Sequence, residues 1–236
     1  MKRFWDTATA SPEEGGWGVK LDGRPVRLPS GGVLLVPSRA LADAIAAEWQ
    51  AAGGTKGGEM SYADVPLTRL AGTAQERIAP DPEPVILEIA RYGETDLLCY
   101  RADLPESLAA RQAQHWQPWL DWAEMRFGAK LHVTTGIVHV RQDPSALAAL
   151  AGAVARLAPP HLAALGIAVP ALGSLVLGLA LAEGEIDAEA ASHAAMLDEL
   201  FQEELWGADP EASARRANVR TDIRHAATLM TLAAHP

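Results

Sequence analysis

Trp17-Gly18-Val19-Lys20-Leu21-Asp22-Gly23-Arg24-Pro25-Val26-Arg27-Leu28 reads as two short strands joined by a tight turn. Asp-Gly is a strong signal for a two-residue hairpin, because both residues tolerate the positive φ that such a turn needs. Pro25 lacks an N–H and suits an edge position in the returning strand. Just downstream, Pro29-Ser30-Gly31-Gly32 marks a second turn, and Val33-Leu34-Leu35-Val36 a further strand. The first forty residues are therefore rich in strands and turns.

Beyond them the pattern turns helical. Ser38 is placed to cap a helix over 39–51, in which Leu41, Ile45 and Trp49 recur on one face. Trp49 is read as a core plug. Gly53-Gly54-Thr55-Lys56-Gly57-Gly58 has the look of a phosphate loop, but Glu59 and Met60 follow it instead of Lys and Ser or Thr, so the nucleotide reading fails. Helices are expected over 66–79, 85–92 and 105–127, the last kinked or split at Pro118, with an apolar, strand-like run over 95–101. Leu131-His132-Val133 and Ile137-Val138-His139-Val140 are candidate extended segments. From Asp143 on the chain reads as helical, with breaks at Pro159-Pro160, Pro170 and Gly184 and a last helix carrying Arg215, Arg216, Arg220 and Arg224. The expected class is α+β: a small β-rich N-terminal domain with hairpins, residues 1–60, then a larger mainly α-helical domain, residues 61–236.

Composition narrows the function. The 236 residues are 49% hydrophobic and 21% charged, as in an ordinary globular protein. A net charge of −10 argues against nucleic-acid binding, which needs clustered cations for the phosphates. The lone cysteine, Cys99, lies in an apolar context and is expected to be a buried, inert thiol. No signal or transit pattern precedes Trp5. The uncharged run 162–182 is interrupted by Pro170 and by glycines, and reads as buried helix, not a membrane span. A cytoplasmic chain without membrane insertion and without a cofactor is expected, a monomer when free.

The acids concentrate in one place. From Glu183 to Glu211 there are ten Asp or Glu and no Lys or Arg. Within it, Met196-Leu197-Asp198-Glu199-Leu200-Phe201-Gln202-Glu203-Glu204-Leu205-Trp206-Gly207 is amphipathic. At about 100° per residue, Leu197, Leu200, Phe201 and Leu205 form an apolar arc. Glu199 and Glu203 lie opposite, Asp198 flanks the arc, and Glu204 projects into it. A carboxylate there needs an arginine, and the last helix offers four. Glu204 is therefore read as structural, as are Trp49, Trp116, Trp122 and Trp206, while Asp198, Glu199 and Glu203 are the acids free to meet a partner. Trp116, Trp119 and Trp122, three apart, read as an aromatic seam before a stacking platform. Two other readings of the acids stay open: a small hydrolase or metal enzyme using the Glu199/Glu203 pair, or a generic protein-interaction domain. No second acidic helix, H-E-x-x-H or G-x-S-x-G supports the enzyme.

Several short motifs occur in a particular order: Arg3-Phe4-Trp5; Val19-Lys20-Leu21-Asp22-Gly23-Arg24-Pro25; Ala47-Glu48-Trp49; Pro66-Leu67-Thr68-Arg69-Leu70; Tyr92-Gly93-Glu94-Thr95-Asp96-Leu97-Leu98-Cys99-Tyr100-Arg101; Gln114-His115-Trp116-Gln117-Pro118; Asp198-Glu199-Leu200-Phe201-Gln202; and Trp206-Gly207. This set resembles the assembly chaperones of the catalytic head of F-type ATP synthase, over nearly the whole chain. The resemblance implies a non-enzymatic chaperone that binds the free alpha subunit and keeps it from aggregating until a beta subunit replaces it. It also implies a small β-rich domain joined to a larger helical one, and a bacterial, cytoplasmic member beside mitochondrial relatives. The family's functional acid falls on Asp198 or Glu199.

Overall fold

Two successive two-residue turns build the sheet. In the computed structural model, which describes residues 1–234, strand β1 (Ala8–Glu13) runs antiparallel along the whole of β2 (Gly16–Leu21), from Ala8 opposite Leu21 to Glu13 opposite Gly16. Gly15, with φ +89°, turns that hairpin. Asp22 and Gly23, with φ +47° and +80°, turn the next into β3 (Arg24–Pro25). Strand β4 (Leu35–Val36) pairs with the start of β2 on the same side as β3. The main partner of β2 thus precedes it, where the hairpin reading of 17–28 looked only downstream. Ala8-Thr9-Ala10-Ser11-Pro12 lacks the apolar alternation that would have shown it.

Helix α1 (Arg39–Ala51) begins at Ser38, whose Oγ accepts from Leu41 N at 3.0 Å. Its buried face includes Trp49, whose ring stands edge to face with that of Trp5 at 5.1 Å. Trp5 Nε1 donates to Trp49 O (3.0 Å), and Trp49 Nε1 donates to Thr68 Oγ1 (2.9 Å). Glu48 accepts from Leu67 N (2.7 Å) and Thr68 N (3.2 Å), so a carboxylate of α1 closes the N-terminus of α2 (Pro66–Thr73). Burial pushes the Glu48 carboxyl above its usual range against those hydrogen bonds. A π-helical turn, Ala74–Ile78, continues α2.

The helical part follows: α3 (Glu83–Ala90), α4 (Glu106–Phe127), α5 (Pro144–Ala155), α6 (Pro159–Leu172), α7 (Leu175–Ala182), α8 (Ala188–Ala195), α9 (Leu197–Trp206) and α10 (Pro210–Ala233). The α+β class stands. Three local expectations change. Pro118 lies inside a single 22-residue α4 and does not split it. Pro170 lies inside α6, and the break falls instead at Gly173 (φ +64°), with Ser174 capping α7. The apolar run 95–101 follows one 3-10 turn (Arg91–Thr95) and contains a second (Leu97–Cys99), and only Tyr100–Arg101 is a strand (β5), parallel to β6 (Thr134–Thr135).

The described residues pack as two compact units: Met1–Pro82 with Ala158–Ala164 and residues 228–234, and Glu83–Leu157 with Leu165–Ala227. The compositional change on which the 60/61 division rests is a change of secondary structure, while the Glu48 and Trp49 bonds to Leu67 and Thr68 keep α2 with the sheet. At the centre of the second unit, 175–181 of α7 are buried all round. Gly178 lets Val169 approach so closely that an added Cβ would sit 2.4 Å from its Cγ2. Gly178→Ala is therefore expected to cost about 1–3 kcal/mol by overpacking, measured as a lower denaturant midpoint. Among the described residues no helix is long and apolar enough to cross a membrane.

Candidate partner-docking site

The acidic stretch is two helices. Met196, at φ −98° and ψ 10°, ends α8 and starts α9. Leu197 and Phe201 are buried, Leu200 and Glu203 half-buried, and Gln202, Glu204, Leu205 and Trp206 exposed.

The acids read as free are partnered within the chain. Asp198 Oδ1 accepts from Gln112 Nε2 at 2.7 Å. Gln112 is buried on α4. Its Oε1 accepts from Ala102 N (2.7 Å), and its carbonyl accepts from Arg101 Nη1 (2.6 Å). The Arg101 guanidinium lies 5.3 Å from the centre of the Trp116 ring, and Trp116 Nε1 donates to Ala194 O (2.8 Å). Asp198 is thus the outer end of a polar chain that pins α9 to α4. Glu199 pairs with Arg215 (2.8 Å) and Arg216 (3.5 Å), and Glu203 pairs with Arg216, all from α10. Glu189 of α8 pairs with Arg220 and with Arg224 (2.8 Å), which hold its carboxyl below the usual range. The side chains of Glu199 and Glu203 remain 41% and 31% exposed.

Glu204 departs from expectation in two ways. Its arginine is Arg111 of α4, at 2.7 and 2.9 Å, not one from α10; and its side chain is 57% exposed. The helical angle was right, but α9 outruns its neighbours, so the inward arc of its last turn faces solvent. Arg111 holds the Glu204 carboxyl below its usual range and lies over the Phe201 ring at 5.1 Å.

The tryptophans divide. Trp49 and Trp116 are buried, at 5% and 1% exposure. Trp122 is half-buried, edge to face with Trp119 at 6.4 Å and with Phe127 at 5.2 Å. Trp206, read as structural, is 83% exposed beside Leu205 at 58%, because both lie on the uncovered turn. An exposed Trp-Leu pair amid carboxylates has the composition of an interface centre, an aromatic anchor within a charged rim.

A cleft of about 600 Å³ opens among α8, α9 and α10, walled by Ser192, His193, Met196, Leu200, Arg216 and Ala217. Glu199 and Glu203 are both paired with guanidinium groups of α10, so a cation would have to displace arginines, which tells against the metal-enzyme reading. Among the described residues no three His, Cys, Asp or Glu come together at metal-binding spacing. The signal for Arg215 and Arg216 was present in the sequence, as arginines opposite an acid-only stretch. Nothing local pointed to Arg111 or Gln112.

A family model described as ATP12 chaperone protein matches residues 2–124. The chain is 24% identical over 223 residues to the protein atp12, mitochondrial, of Schizosaccharomyces pombe, with 90% of this chain and 76% of that one covered. The crystal structure of Atp12 from Paracoccus denitrificans is similar with a TM-score of 0.91 at 44% identity, covering 98% of each chain. An aspartate-to-lysine mutant of that organism's Atp12p gives a TM-score of 0.91 at 43% identity, covering 98% of this chain and 97% of the mutant.

Proposed function

Because the chain belongs to the ATP12 chaperone family, the F1-ATP synthase assembly chaperones, which are not enzymes, we propose that it binds the free alpha subunit of the synthase and shields it from aggregation until a beta subunit takes its place. In this reading it acts as a monomer in the compartment where the head is assembled, the cytoplasm of a bacterium. The observation that carries the docking surface is the uncovered last turn of α9, with Leu205 and Trp206 outermost. A subunit awaiting assembly exposes an interface with an apolar centre and a polar rim. Trp206 meets that centre, and the outward edges of Asp198, Glu199 and Glu203, with Glu204, supply rim charge that sets orientation and association rate. Their bonds to Gln112, Arg215, Arg216 and Arg111 hold the rim rigid, which lowers the entropy lost on docking. Displacement by the beta subunit needs only better complementarity, so no nucleotide site is required.

The test is co-purification with free alpha subunit against beta subunit, for the native chain and for Trp206→Ala. The native chain is expected to retain alpha and not beta. Trp206→Ala is expected to weaken alpha binding about 30-fold, the loss of a ~2 kcal/mol anchor, with an unchanged melting temperature because the ring is exposed. Equal retention of both subunits sinks the alpha-specific reading, and undiminished binding by the variant removes α9 from the interface.

A further inference from the structure

Gly136-Ile137-Val138-His139-Val140-Arg141 has the β-branched content of a strand, yet it has no strand partner among the described residues. Gly136 N donates to Arg101 O at 2.8 Å, just past the β5–β6 ladder. After it, no backbone N–H or C=O from 137 to 141 is hydrogen-bonded among the described residues. Ile137 is 99% exposed and Val138 71%. The base of the loop is clamped: His132 N donates to Gln142 Oε1 (2.7 Å), and Gln142 Nε2 donates back to His132 O (2.9 Å). One side-chain contact, Tyr100 Oη to His139 Nδ1 at 3.2 Å, steadies the far limb. A segment with free backbone groups and exposed apolar side chains, presented from a fixed base, is a template for strand addition.

Charge identifies the kind of partner. From Lys130 to Gln142 there are two cations and two histidines and no carboxylate, in a chain whose net charge is −10; Lys130 lies against Glu124 (3.4 Å) and His132 against Asp143 (3.2 Å), which leaves exposed Arg141 as the cation without an ion pair among the described residues. Antiparallel pairing of two copies over 137–141 would set Arg141 of each against Ile137 of the other, so a second copy offers that guanidinium no counter-charge. We propose that residues 137–141 add as a strand to an exposed, carboxylate-flanked sheet edge of the unassembled alpha subunit. This rests on the client reading above and gives that client a second contact, chemically opposite to the acidic α9. Ile137 and His139 face one side of the added strand, and Val138 and Val140 the other.

Hydrogen exchange on the full chain mixed with purified alpha subunit, with co-elution checked in the same sample, tests it. The amides from 137 to 141, which have no protecting bond in the free chain, are expected to slow at least ~100-fold in the complex. Ile137→Asp with Val138→Asp is expected to weaken alpha binding about 10-fold at an unchanged melting temperature, while Ile137→Thr with Val138→Thr, which keeps β-branching, retains most of it. A co-eluting complex in which these amides exchange at the free-chain rate overturns the inference and leaves the client reading standing. Absence of a complex overturns both. Slowing in the chain alone as its concentration rises assigns the segment to a second copy and overturns it as well.

Discussion

Asp96→Ala is expected to remove about 3–5 kcal/mol of stability, seen as a lower denaturant midpoint with an unchanged slope. Asp96 is fully buried and joins two elements eighty residues apart. Its Oδ1 accepts from Leu98 N at 3.1 Å within the first 3-10 turn after it, and its Oδ2 accepts from Val176 N at 3.0 Å at the start of α7, with Ser174 and Leu175 adding further bonds. Alanine leaves these donors buried and unpaired, at roughly 1–3 kcal/mol each, and removes a helix cap. Against a total of about 5–15 kcal/mol this is a large share.

The same carboxyl makes stability depend on pH. Burial pushes its pKa from 3.8 up to about 6, against the donors that pull it down. The folded state therefore binds the proton more tightly than the unfolded chain, and the stability contributed is full below the unfolded pKa and is lost as pH rises through 6. Between pH 5 and pH 7 the native chain should lose about 1 kcal/mol relative to Asp96→Asn, which cannot titrate. The comparison with Asn matters because burial lowers the pKa of His161 and His225, and their contribution has the opposite sign: it is lost as pH falls. Parallel pH profiles for the two proteins would show that Asp96 stays ionised throughout.

Arg3→Met is the second large effect, expected at about 3 kcal/mol or more in thermal or denaturant unfolding. Arg3 is 4% exposed and has no carboxylate partner among the described residues. Its guanidinium instead donates to five carbonyls: Trp5 (3.0 Å) and Asp6 (3.1 Å) beside it, and Gln50 (2.7 Å), Ala52 (3.3 Å) and Gly54 (2.7 Å) at and beyond the end of α1. Gln50 and the C-cap Ala52 present carbonyls that a helix C-terminus leaves open and where its dipole is negative, and Gly54 is in the loop beyond, so the cation caps α1 and ties down the loop that follows. Arg3→Lys should recover less than half of the loss, since one ammonium has three donors and no planar fork. A lysine variant as stable as the native chain would show that charge alone suffices.

Arg3 and Asp96 both lie in motifs that mark the family, yet neither role was legible from the sequence. What could be read was whatever depends on neighbours in the chain: the Asp22-Gly23 turn, the Ser38 cap, the face of α1, and most helix positions. What could not be read was whatever depends on distant partners. Asp96 looked like part of an apolar strand because its second helix end lies at Val176. The four arginines of α10 were noticed, but which acids they take depends on where Met196 breaks the chain. The periodicity of α9 gave the inward direction correctly and still misjudged Glu204 and Trp206. A helical wheel assumes cover along the entire helix, and here cover stops after Phe201.

Cys99 has no accessible surface, and burial, reinforced by the neighbouring Asp96 charge, pushes its thiol up to about 12. The native chain is thus already a silent background for thiol chemistry. A cysteine introduced at Ala208 or at Thr135, both exposed beside the proposed contacts, would be the one group to take a maleimide dye or spin label, so each contact can be given a reporter without first removing a native cysteine.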